Sequence, residues 1–168
     1  MEINRLPPLH MDDNPTKCCP RFHPEDWESV ELEFRDKPFA RATVRSAMHI
    51  PLDMGRVFER VNKHMSEADA FDADNFIVLS RDLTPWKSEH LFASRAPVPS
   101  EEMTTFTGKF VTAVFEGPYS QMGSWQAEMT RRAAEQGKPD GEVWFYYTTC
   151  PKCAKAYGKN YVVGLAEV

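Results

Sequence analysis

The chain has 168 residues, a net charge of −5 from 25 acidic and 20 basic residues, and 12% aromatic residues. A domain of this length buries roughly 70% of the surface its unfolded chain exposes, and its composition excludes a disordered chain. No Lys/Arg run exceeds two residues, and Arg131-Arg132 has Glu128 and Glu135 close by. That argues against a nucleic-acid surface, and no apolar stretch approaches the ~20 residues of a membrane span.

The chain opens Met-Glu-Ile-Asn-Arg-Leu-Pro-Pro, without an apolar signal core, so a cytoplasmic protein is expected. Residues 1–38 are expected to form an irregular arm packed on the domain. Pro7, Pro8, Pro15, Pro20, Pro24 and Pro38 forbid long helices or strands there, and Phe22, Trp27 and Phe34 are apolar enough to pin it. From Phe39 to Met48, Ala40, Ala42 and Val44 alternate with Arg41, Thr43 and Arg45, the pattern of a half-buried strand.

Asp53 then stands as an N-cap before a helical stripe of Met54, Val57, Phe58, Val61 and Met65. Phe76–Leu79 and Leu91–Val98 read as short strands. The order repeats: a strand over Lys109–Glu116, the turn Gly117-Pro118, then a helix capped by Ser120 with the stripe Met122, Trp125, Met129 and Ala133. That helix stops at Gly137-Lys138-Pro139. Val143–Thr149 and Tyr161–Val168 are the closing strands.

The predicted fold is therefore α+β. Two β-α-β-β units (39–100 and 106–168) form an antiparallel sheet with both helices on one face and a ligand cleft between the halves.

The run Gly108-Lys109-Phe110-Val111-Thr112-Ala113-Val114-Phe115-Glu116-Gly117-Pro118-Tyr119, followed by a helix bearing Trp125, resembles the second-half signature of GyrI-like effector-binding domains. The resemblance covers residues 39–168 and implies a protein that binds bulky hydrophobic or cationic small molecules. Some members of that superfamily hydrolyse reactive natural products. The chain has no room for a helix-turn-helix module and is similar to stand-alone members. It also resembles small bacterial proteins named as hydrolases, through its tail Cys-Pro-x-Cys-Ala-Lys-x-Tyr-Gly-Lys-Asn-Tyr. The cysteine-bearing arm and the Cys150–Tyr157 insert lie outside the usual superfamily pattern.

Three constellations carry candidate chemistry. Cys150-Pro151-Lys152-Cys153 has the gap that lets two sulfurs face one metal, and Cys18-Cys19 supplies two more, with His23 as a substitute ligand. Four thiolates complete a tetrahedral, structural zinc site. The alternatives are a redox dithiol at Cys150 and Cys153, or four inert buried thiols.

The second constellation is Glu116 at a strand end, a candidate general acid or base. Tyr119, Tyr146 and Tyr147 are its candidate hydrogen-bond donors, and the alternative is a solvated glutamate. The third is aromatic: Trp144, Phe145, Tyr146 and Tyr147 alternate between sheet faces, so one pair is expected to line a pocket with Trp86 and Tyr157, against plain core packing. His49, at a strand end, is a further pocket candidate. His10, His23, His49, His64 and His90 recur at no metal-ligand spacing.

The favoured reading is a protein that binds hydrophobic, drug-like small molecules and holds a structural zinc. A hydrolase of hydrophobic, electrophilic small molecules using Glu116 with Tyr119 or Tyr147 is the alternative, and a thiol-redox protein the third. The expected partner is a small-molecule ligand, with neither nucleic acid nor membrane; the oligomeric state is open.

Overall fold

The computed structural model describes residues 2–168. The protein is α+β with antiparallel strand pairings, and it divides into two compact units. One is Arg35–Thr107; the other joins the chain up to Phe34 with Gly108–Val168. Among the described residues no helix is long and apolar enough to cross a membrane.

The Arg35–Thr107 unit contains most of β1 (Glu31–Ala47), then β2 (Ile50–Pro51), α1 (Met54–Glu67), β3 (Val78–Thr84) and β4 (Lys87–Ala93). β4 lies between β1 and β3, antiparallel to both. The alternation read from the sequence is the observed one: Ala40, Ala42 and Val44 are buried with Val57, Val61 and Met65 of α1 and with Phe92. Asp53 occupies the N-cap position but makes no side-chain cap bond. Its carboxylate instead accepts from the Arg45 backbone N–H at 2.9 Å and from the Arg45 and Arg56 guanidinium groups.

Two expectations are corrected here. The irregular stretch ends earlier than residue 38, because β1 begins at Glu31 and runs through Pro38. A strand tolerates this proline because Asp36 takes a left-handed φ of 47° that breaks the ladder just before it. The Pro38 carbonyl still accepts from the Ser94 N–H at 3.0 Å. The strands read as Phe76–Leu79 and Leu91–Val98 are instead a hairpin shifted toward each other, β3 and β4, turning at Pro85-Trp86.

The polar run Ser80–His90 hid that hairpin. In the fold its buried polar groups are partnered: Glu89 accepts from Arg41 Nε at 2.8 Å and Arg81 Nε at 3.1 Å. His90 lies between the hydroxyls of Ser80 and Ser88, at 2.7 and 2.9 Å. Such pairing lets polar residues occupy a buried strand.

The other unit contains the arm, the last part of β5 (Glu102–Glu116), α2 (Met122–Glu135), β6 (Val143–Tyr147), α3 (Pro151–Tyr157) and β7 (Tyr161–Glu167). β7 lies between β5 and β6, antiparallel to both. Trp125, Met129 and Ala133 of α2 pack on Ala113, Val143, Phe145, Val162 and Ala166.

Ser120 is not the cap; it falls in a short 3-10 turn, Tyr119–Gln121, that precedes the helix. The helix ends as the sequence suggested. Gly137 takes φ 88°, and the N–H groups of Gly137 and Lys138 return to the carbonyls of Ala134 and Ala133, a Schellman stop. Gly164 has a different role: a Cβ there would stand 2.6 Å from Met129 Cγ, so its missing side chain lets α2 approach β7.

The end of the arm lies along β5. The Thr112 backbone N–H donates to the Val30 carbonyl at 3.0 Å, and the Val114 N–H donates to the Glu28 carboxylate at 2.9 Å. Trp27 is 1% exposed, and its ring meets Tyr146 at 5.2 Å between centroids.

Candidate metal centre

β6 ends at Tyr147, and thirteen residues pass before β7 resumes at Tyr161. This connection holds α3, which the sequence reading missed: Cys150 is its N-cap, Pro151 its first residue, and Gly158 its left-handed C-cap at φ 75°. Proline at the first helical position and glycine past the last are the expected signals. The helix is too short to show a periodic stripe.

Opposite it, the arm turns through Pro15–Cys19, with Lys17 at φ 57°. The sulfurs of Cys18, Cys19, Cys150 and Cys153 all lie within 4.8 Å of one another. Cys18 and Cys19 Sγ are 3.8 Å apart. That equals the edge of a tetrahedral zinc–sulfur site, about 3.8 Å for bonds of about 2.3 Å.

Hydrogen bonds to the sulfurs support thiolate character. The Cys150 N–H donates to Cys19 Sγ at 3.5 Å, and Thr16 Oγ1 lies 3.3 Å from Cys153 Sγ. Thr16 also meets the Tyr157 hydroxyl at 3.0 Å, and that hydroxyl donates to the Cys19 carbonyl at 2.6 Å. These bonds fix the arm turn against α3. No sequence signal pointed to Thr16 beyond its place two residues before the cysteine pair.

One thiol of the cluster ionises readily, and two resist. The Thr16 hydrogen bond, with further help from the other thiols, brings Cys153 down to about 7. Burial pushes Cys19 up, and the Cys153 hydrogen bond pushes Cys18 up. A divalent cation would draw such a cluster to full ionisation, because thiol ligands bind as thiolates. The redox alternative fits less well. The thiol with the lowered pKa, Cys153, is fully buried, whereas an attacking thiol needs access.

Beside the centre is a cavity of about 250 Å³ between arm residues Arg21 and Phe22 and the stretch holding Thr149, Tyr157, Lys159 and Tyr161. The Arg21 guanidinium sits over the Tyr157 ring, 5.3 Å from its centroid. The Thr149 hydroxyl is buried with no hydrogen-bond partner among the described residues.

The remaining predicted site residues separate by sheet face. Glu116 is exposed at the end of β5 and pairs in register with Tyr161, so it shares the arm-covered face with Tyr161 and Tyr146. Tyr147 points to the α2 face, half-exposed, with Tyr119 edge-on at 5.6 Å. Burial, with the nearby Cys150 charge, raises the Tyr119 hydroxyl pKa. Strand alternation thus brings Tyr119 and Tyr147 together and sets Glu116 with Tyr161 instead.

Trp144 is buried, its indole N–H on the Glu142 carboxylate at 3.0 Å, and Phe145 belongs to the α2 core. Tyr146 lies against Trp27 and Phe22. Trp86 and His49 belong to the Arg35–Thr107 unit, where both are exposed at turns. His49 Nδ1 there lies 2.7 Å from the Asp82 carboxylate.

His10 stacks on His23 with centroids 3.8 Å apart, although nothing in their spacing set them apart as ligands. The signal that was available is a repeated His-x-x-Asp, at His10–Asp13 and His23–Asp26.

A family described as bacterial hydrolase matches residues 9–168. The chain belongs to that family. The match begins inside the arm and spans both cysteine pairs, so the bacterial-hydrolase family includes the segments that the GyrI-like resemblance left out. No curated protein matches the chain.

Proposed function

We propose that the protein is a hydrolase of small polar molecules whose N-terminal arm is fastened beside the site by a structural zinc ion. The carrying observation is the convergence of four thiols from residues 18–19 and 150–153 next to the cavity. Cys18, Cys19, Cys150 and Cys153 would hold the ion with no position left open, so it would fix the arm without entering the chemistry.

Membership of the bacterial-hydrolase family supports the reaction class. The cavity supports the substrate class. It is at the small end for a ligand site, and Arg21 and Lys159 lend it positive charge, which suits a compact molecule with an anionic or strongly polar group. Glu116, paired with the cavity residue Tyr161, accepts a proton from the attacking water, and the hydroxyl of Tyr161 donates to the developing oxyanion.

Both units run strand, helix, strand, strand, and both place the last strand between the first and the middle one. This supports a duplicated β-α-β-β architecture and a kinship with the GyrI-like superfamily. A cytoplasmic setting suits four free thiols.

A panel of carboxylic and phosphate esters tests the reaction. Glu116→Gln is expected to lower turnover by roughly 10²–10⁴-fold, the usual worth of a general base, with substrate binding retained. Undiminished turnover contradicts the role of Glu116. The arrangement of Arg21 over Tyr157 also favours a second reading, a binding protein without turnover. Saturable binding of these probes with no hydrolysis by the wild-type protein selects that one.

A further inference from the structure

The arm brings together a second set of metal-ligating side chains, distinct from the thiols in donor type and in openness. His10, His23 and Asp26 offer ligand atoms that all lie within 4.8 Å of one another. His10 Nε2 is 2.5 Å from Asp26 Oδ2, and His23 Nε2 is 2.9 Å from Asp13 Oδ2. The pairing is crosswise: each histidine of the repeated His-x-x-Asp meets the aspartate of the other copy. The Glu25 carboxylate approaches His23 Nδ1 at 3.5 Å.

Three carboxylates therefore surround two imidazoles whose rings are stacked 3.8 Å apart at 20°. Each imidazole thus has a carboxylate oxygen at hydrogen-bond distance from its Nε2, so nitrogen and oxygen donors of both copies face a common centre.

We propose that His10, His23 and Asp26 form a second metal site, for a divalent ion of the zinc class, with Asp13 orienting His23. Two imidazoles and one carboxylate are the donor set of catalytic zinc, which keeps a fourth position for water. They are also the set of open iron centres. The thiol centre has the opposite composition, four protein ligands and no open position. The side chains of His10, His23 and Asp26 are each 28–30% exposed, so solvent reaches the site from one side. Binding an ion asks for movement of both rings: the 2.5 Å contact between His10 and Asp26 widens to about 3.3 Å around a metal with bonds of about 2.0–2.1 Å, and the stacked imidazoles turn out of parallel so that each in-plane lone pair meets the ion. Asp13 on the remaining face of His23 matches the carboxylate that commonly fixes a ligating imidazole. The site stands apart from the hydrolase reading, since its test is metal binding and not turnover.

The test uses the full chain with its thiol centre filled with zinc, titrated with Co²⁺ and followed by visible absorption and equilibrium dialysis. The expected result is one further Co²⁺ per chain, with the weak bands of a nitrogen and oxygen environment and no thiolate-to-cobalt charge-transfer band. His23→Ala should abolish that binding, while Asp13→Asn should weaken it about 10–100-fold. Both variants should keep their sulfur-bound zinc, which controls for folding. No Co²⁺ beyond the thiol centre overturns the proposal and leaves two crossed His–Asp hydrogen bonds that merely fold the arm. Co²⁺ bound with unchanged affinity in both His23→Ala and His10→Ala overturns it equally.

Discussion

The two units fill the same place in the strand order in opposite ways. In the Arg35–Thr107 unit the β4 residue opposite Ala42 is His90. In the other unit the β7 residue opposite Ala113 is Gly164. Both places lie under the unit's own long helix: Phe58 of α1 meets the His90 ring edge-on at 5.1 Å, and Met129 of α2 fills the space above Gly164. One core is therefore sensitive to protons and the other to volume.

The connections differ as well. β3 and β4 are joined by the two residues Pro85-Trp86, while thirteen residues separate β6 from β7. The candidate chemistry gathers on the longer connection, which a strand pairing does not need and which is free to carry ligands.

The largest expected effect sets the arm apart from the Arg35–Thr107 unit. If the four thiols hold a metal as proposed, chelating it, or making Cys153→Ser, should strip residues 2–30 of amide-exchange protection while β3 and β4 keep theirs. Binding in isolated zinc peptides is worth roughly 10–16 kcal/mol at neutral pH. Here it should be less, because Trp27, Phe22 and Tyr146 also hold the arm. Equal loss of protection in both units would mean that the metal supports more than the arm.

A smaller effect belongs to His90. Burial lowers its pKa from 6.5 to about 4, so the unfolded chain takes up the proton first as the medium is acidified. The stability that the neutral ring contributes is complete above about pH 6.5 and is lost as pH falls toward 4, by about 3 kcal/mol in all. Urea unfolding at pH 7 and pH 5, followed by exchange in β4, should show this slope, and His90→Gln should flatten it. An unchanged slope in the variant would assign the acid sensitivity elsewhere.

The smallest belongs to Gly164. Gly164→Ala sets a methyl group against the flexible end of Met129 and should cost about 1–3 kcal/mol. Met129→Ala in the same chain should recover part of that loss. If Gly164→Ala is neutral, α2 does not rest on β7 as closely as described.

These comparisons also mark how far the sequence could be read. Both long helices were legible, because Val57, Val61 and Met65, and Trp125, Met129 and Ala133, recur at helical spacing and form the buried faces. β3 and β4 were displaced because Ser80, Glu89 and His90 count as exposed on any propensity scale. Only the fold reveals the partners that let them be buried. The cysteines announced a ligand set by type and gap, and the fold gathers all four. Glu116 with Tyr147 was not legible as a pair, because one residue of register sends them to opposite faces. The crossed histidines were hidden for another reason: each ring's partner lies across the arm, 16 residues away for His10 and 10 for His23.

Zinc-edge X-ray absorption on protein purified without added metal tests the central claim most directly. The thiol centre predicts one zinc per chain with a shell of four sulfurs at about 2.3 Å, lost in Cys153→Ser. A spectrum without bound zinc, or with a shell of nitrogen and oxygen alone, would contradict it.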